Sequence, residues 1–212
     1  MGSSICWTGY EEKNTYRFLC VGKLPLRYGG IMSTNSLVAY MNKDWKVTSS
    51  YVHWDGHTTG VGEVLLENYN TKELAKDLST NLGYASSLRE TVKSSHEDRA
   101  NTDEPIVYEN YLDFEDYIRE SSYLEYVYVW AESTGKWQVA TWENTKSDTP
   151  SEEGFEFLYN WNGFEDLIPV FVREGGETVE RMRKLADEGS YDYNAGADEL
   201  ERSIKKWDAS LS

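Results

Sequence analysis

Leu124-Glu125-Tyr126-Val127-Tyr128-Val129-Trp130 and, past a Glu132-Ser133-Thr134-Gly135 link, Lys136-Trp137-Gln138-Val139-Ala140-Thr141-Trp142 decide the fold. Both runs are built from β-branched and aromatic residues, which fit a pleated, half-buried surface. The second run alternates apolar and polar side chains with the period of a strand. Glycine in the short link completes the chemistry of a β-hairpin. Upstream, 37–41 and 47–54 read as a second hairpin, because Asn42-Lys43-Asp44 between them tolerates tight backbone turns.

The helices are expected between and after these hairpins. Apolar side chains at Val61, Val64, Leu65, Leu66 and Tyr69 recur at spacings of three and four, which predicts an amphipathic helix of about ten residues. Thr71 caps a second helix over 72–82, with Leu74, Leu78 and Leu82 on one face and Gly83 as its stop. Residues 91–105 are polar and read as a surface loop, 114–120 as a helical turn, and 144–154 as a linker rich in Ser, Thr, Glu and Pro. Pro169 interrupts a short helix or strand over 164–172, and Gly175-Gly176 precedes a helix over 178–188. A last helix over 195–211 uses Leu200, Ile204 and Trp207, with acids near its start and lysines near its end, as the helix dipole favours. The expected class is α+β: a mainly antiparallel sheet covered on one face by helices, with the C-terminal helices as an added layer. Three regions are expected: 1–31 as a leader or arm, 32–143 as the α+β core, and 144–212 as an acidic helical region.

Charge narrows the function. The chain of 212 residues carries a formal charge of -16, and 26 of its 37 acids but only ten of its 21 bases lie in 101–212. Nucleic-acid binding rests on Lys and Arg displacing counterions from phosphate, so direct binding to DNA or RNA is not expected. Docking on an anionic membrane surface is disfavoured for the same reason, and no apolar run approaches the roughly 20 residues of a spanning helix. Eight Trp, 16 Tyr and six Phe supply the apolar area for a real core. Both cysteines, Cys6 and Cys20, lie in the first 31 residues, so the body relies on no disulfide, and no Cys-His cluster has zinc spacing. The N-terminus lacks the apolar stretch of a signal peptide, and a cytosolic location is expected. For residues 1–31 two readings stay open: an upstream extension with translation starting at Met32, or an arm that adds a strand at 16–21.

Met32-Ser33-Thr34-Asn35-Ser36, His53-Trp54-Asp55-Gly56, Gly60-Val61-Gly62 with Leu65-Leu66 and Tyr69, and the closing hairpin from Glu125 to Val139 occur in this order. Together they resemble a family of small proteins common in tailed-bacteriophage genomes, over about 32–142. The resemblance implies a phage origin, a start near Met32 and the cytoplasm of the infected host cell as location. It implies no reaction. His57 stands where that family usually has an aromatic residue.

Two groups of candidate site residues follow. His53, Asp55 and His57 alternate, so on a strand they would share one face and could hold a metal or serve as an acid-base pair. The competing reading is a turn at Asp55-Gly56, with Trp54 anchoring the loop in the core. Gly60 and Gly62 open a helix whose free N–H groups suit an anion, though close helix-to-sheet packing also accounts for them. His53, Trp54, Asp55, His57, Gly60 and Gly62 are thus the candidate ligand residues. No catalytic residue, metal or cofactor is expected. Glu152, Glu153, Trp161, Glu165 and Asp166 are the candidate partner-binding residues, acids beside aromatic surface. The expected function is a non-enzymatic phage accessory protein that binds a host or phage protein, basic in character, through an acidic aromatic surface. The alternatives are a DNA mimic that inhibits a host DNA-binding protein, and a small-ligand binder or enzyme centred on the 53–57 loop.

Overall fold

A computed structural model describes residues 34–96, 103–121, 123–151, 154–161, 163–189 and 193–211, with backbone alone over 142–161. They fall in one compact unit spanning 33–212. The leader over 1–31 and its strand at 16–21 lie outside the described residues.

Strands β1 (Ser36–Met41) and β2 (Val47–Val52) form the first expected hairpin, in the register Leu37 with Tyr51 and Met41 with Val47. Strands β5 (Tyr126–Ala131) and β6 (Lys136–Ser151) form the second, with Trp130 opposite Trp137. The two hairpins meet through β1 and β5, which run parallel with Val38 opposite Tyr128. Short strands extend the ends: β3 (Tyr84–Ala85) runs parallel to β2, β4 (Ile106–Tyr108) antiparallel to β2, and β8 (Glu165–Asp166) antiparallel to β6. The sheet is therefore mixed and not mainly antiparallel. Nothing in a local apolar pattern specifies which way two hairpins lie against each other. Burial accounts only for the inner place of β1, because every residue of it is buried and such a strand belongs inside a sheet, flanked on both edges.

Helices cover both faces, not one. Val38, Tyr40, Tyr128 and Trp130 point to a core built with α1 (Glu63–Asn68), α2 (Lys72–Asn81), α5 (Leu167–Asp187) and α6 (Asn194–Asp208). The alternating residues Leu37, Ala39, Val127 and Val129 face Phe114 and Ile118 of α4 (Tyr111–Glu120). The full α4 exceeds the single turn expected there, because Asn110 caps it by accepting from the Asp113 N–H at 3.0 Å. Within the expected polar loop, Thr91 and Ser94 form a capping box around the short α3 (Val92–Ser95). The buried stripe is Ala75 and Leu78 of α2 with Leu82 at its C-cap, whereas Leu74 is exposed.

The expected linker over 144–154 is a β-ribbon: β6 continues to Ser151 and pairs with β7 (Gly154–Trp161), with a register shift between Lys146 and Pro150. Proline cannot donate to a ladder, so its place beside an irregularity is chemically consistent. The C-terminal part also differs in one respect. Pro169 and Gly175-Gly176 do not divide the segment, because α5 runs unbroken through them. Pro169 is the third residue of α5, where the N–H lacks an intrahelical partner in any case. A Cβ on Gly175 would lie 2.9 Å from the Ile204 side chain of α6, so this glycine lets the two helices approach. Gly176 has nothing within 4 Å of such a Cβ. Gly176→Ala is therefore expected to raise stability by about 1 kcal/mol, as alanine replaces a helical glycine in open space. Gly175→Ala should gain nothing or lose, and urea unfolding of the two variants measures the contrast.

No described helix is long and apolar enough to cross a membrane.

Candidate functional site

The chain folds around a cleft of about 880 Å³ at the ends of β1 and β5, on the α5 face of the sheet. A π-helical turn (Thr58–Gly62) forms one wall and α5 with α6 the other. The turn is held from below by Tyr128, whose buried hydroxyl donates to the Gly56 carbonyl at 2.8 Å. Gly56 N–H in turn donates to the Thr34 carbonyl at 2.8 Å, and a Cβ there would sit 2.5 Å from that oxygen. This is the anchor that Trp54 was expected to be. Trp54 instead is 38% exposed and packs its edge against His53.

The loop distributes its candidate residues to different places. His57 lines the cleft, with Nδ1 3.0 Å from the Thr59 hydroxyl. Burial lowers the pKa of His57; the Asp55 charge acts against this and Arg181 with it. His53 lies outside that lining and shares a 3.2 Å hydrogen bond with the Tyr51 hydroxyl. Asp55 is exposed and adopts φ 58°, so the strand alternation that would have put the three side chains on one face is broken at Asp55. The Gly60 and Gly62 positions are matters of packing: a Cβ on Gly60 would meet the Asp55 carbonyl at 2.3 Å, and one on Gly62 would lie 3.4 Å from Leu167. Among the described residues no group of three or more His, Cys, Asp or Glu is placed to hold a metal ion.

The chemistry of the cleft comes from residues outside the loop. Glu174 of α5 is half-buried and accepts a 2.6 Å hydrogen bond from the Thr58 hydroxyl. Burial raises the pKa of Glu174 above the usual carboxylate range, while the Thr58 hydrogen bond and Arg173 pull it down. Tyr126 stacks on Tyr128 at 6.2 Å, and its phenol is pushed up by burial and by the charges of Glu174 and Glu125. Glu63, Glu125, Glu177 and Glu199 add four further carboxylates to the lining, against the single guanidinium of Arg181. Glu174, Glu177 and Arg181 follow the i, i+3, i+7 spacing of one helix face, the signal that could have found them in the sequence.

The expected partner-binding acids lie elsewhere. Glu165 is exposed with Arg173 at 3.7 Å, and Asp166 lies 3.2 Å from Lys136. Glu152, Glu153 and the side chain of Trp161 lie outside the described residues. No protein-family model, curated protein or solved structure matches the chain.

Proposed function

We propose that this chain is a non-enzymatic accessory protein of a tailed bacteriophage, acting in the cytoplasm of the infected cell, that binds a basic segment of a host or phage protein in the α5 cleft. One observation carries the reading: five glutamates and one arginine converge on one concavity. Like charges gathered around one concavity repel one another, and a cationic side chain inserted among them relieves the repulsion. Glu165 and Asp166 each have a base nearby, which favours the cleft over that acidic surface. A DNA mimic needs carboxylates displayed in an outward row, and a set gathered around one concavity fits a peptide better. The phage assignment is supported by the motif order across 32–142 alone.

The test is calorimetric titration of the full chain with an octa-arginine peptide. Saturable binding is expected, weakening as salt shortens the screening length from about 10 Å at 0.1 M. Glu177→Gln with Glu199→Gln should weaken it by about fivefold, the scale of partly exposed charge pairs. Glu120→Gln, an exposed acid of α4 outside the cleft lining, should leave it unchanged. Absence of binding, or equal loss from both sets of variants, would overturn the reading. The cleft volume also falls in the range of small-molecule sites, roughly 300–1,000 Å³, which favours a second reading as a small-ligand binder around His57. Saturable spermidine binding without peptide binding would favour that one.

A further inference from the structure

On the other face of the sheet lies a second hollow, of about 310 Å³, that shares no lining residue with the cleft. We propose that it binds an alkylated ammonium cation.

The sequence of β2 makes the hollow. Ser49 faces the α4 side next to Tyr51, and its short side chain leaves the floor low where its strand neighbours Val47 and Tyr51 are large. Tyrosines form the walls. Tyr51 stacks on Tyr84 with centroids 5.6 Å apart, and Tyr123 stands across Tyr51 at 68° and 6.1 Å. Tyr117 completes the set. Rings inclined to Tyr51 at 30° and at 68° offer electron-rich faces in more than one direction, the arrangement that attracts a cation electrostatically. The rings are also fixed in advance: Tyr117 and Tyr123 share a 2.8 Å hydrogen bond between hydroxyls, and the Tyr51 hydroxyl is held by His53. This gives His53 a positioning role that the loop reading did not foresee.

Charge at the rim agrees with the rings. Asp103 and Glu104 are exposed carboxylates on the lining, and no Lys, Arg or His is among the described lining residues. The walls then select among cations. A bare ammonium surrenders strongly bound water and needs three acceptors in return, which phenyl faces do not supply. An alkylated ammonium is weakly hydrated and apolar on its outside, so aromatic walls suit it. The volume sits at the small end for ligand sites, enough for a head group. Two sources carry that chemistry: a free choline-type molecule and a methylated lysine side chain on a protein.

The test is titration of the full chain, by calorimetry and by amide chemical shifts, with choline and with its neutral isostere 3,3-dimethylbutan-1-ol. A second arm uses a decapeptide with one trimethyl-lysine beside the unmodified peptide. Choline or the trimethylated peptide should bind at least about tenfold more tightly than its control, within the span of desolvated cation–π contacts. Whichever of the two binds more tightly identifies the source. Tyr123→Ala should weaken binding at least fivefold, and Tyr123→Phe, which keeps the ring, by less than about threefold. Tyr123 is half exposed, so both variants are expected to fold, and an unchanged melting profile checks this. Equal binding of the neutral isostere, indifference to Tyr123→Ala, or no saturable binding in either arm would overturn the proposal. None of these outcomes bears on the glutamate cleft, which is tested by its own variants.

Discussion

Phe171→Ala lowers the unfolding free energy by about 3–5 kcal/mol, the usual cost of emptying a fully buried phenylalanine site. Phe171 is wholly buried in the same core as Val38 of β1, Leu65 of α1 and Tyr128 of β5. Its loss therefore removes contacts across the sheet and not only within the C-terminal helices. A single cooperative transition in urea, followed by tryptophan fluorescence, should shift as a whole. Leu112→Ala on α4 is the control, because Leu112 is 68% exposed and its truncation should change little. A small effect for Phe171, or a second transition in which α5 and α6 melt alone, would mean that these helices are an appended layer. The geometry argues otherwise. Lys206 and the Trp207 indole of α6 both reach Glu67 of α1, and Arg183 of α5 ties Asp198 and Glu201 of α6 at 2.8 and 3.0 Å.

What the sequence disclosed and what it hid follow the range of the interactions involved. The hairpins at 37–54 and 124–142 are visible because turn chemistry and strand alternation act over a few residues. The parallel contact of β1 with β5 joins residues about 90 apart and leaves no local signature, so its direction was not readable. The punctuation rules failed where packing overrode them. Gly175 marks no break in α5, since it is a small residue at a helix crossing, and Pro169 falls in the one helical turn that tolerates it. The site behaved similarly. Sequence reasoning found His57, but the carboxylates around it come from 63, 125, 174, 177 and 199, four stretches of chain brought together only by tertiary packing. Alternation had grouped His57 with His53 and Asp55, and the positive φ at Asp55 separates them.

Gly83→Ala is expected to cost about 3 kcal/mol. Two terms add. Gly83 follows α2 with φ +65°, and an L side chain in that left-handed region costs about 1–2 kcal/mol. A Cβ there would also lie only 1.9 Å from the Asp103 carbonyl oxygen, a backbone atom that no rotamer change can move aside. Crowding of that kind adds about 1–3 kcal/mol. Gly83 has little freedom to retreat, because its N–H donates to the Ser50 hydroxyl at 2.9 Å and its carbonyl accepts from the Tyr51 N–H at 2.7 Å. Gly135→Ala separates the two terms: Gly135 has nearly the same φ, +66°, with nothing within 4 Å of a Cβ, and should lose only the backbone part. If the two variants unfold at the same urea concentration, the strand lead-in at 103–104 is not pressed against Gly83. If Gly83→Ala is the weaker by about 1–3 kcal/mol, the crowding is real. Asp103 and Glu104 would then be displaced at the rim of the tyrosine hollow, and choline affinity should fall in Gly83→Ala but not in Gly135→Ala.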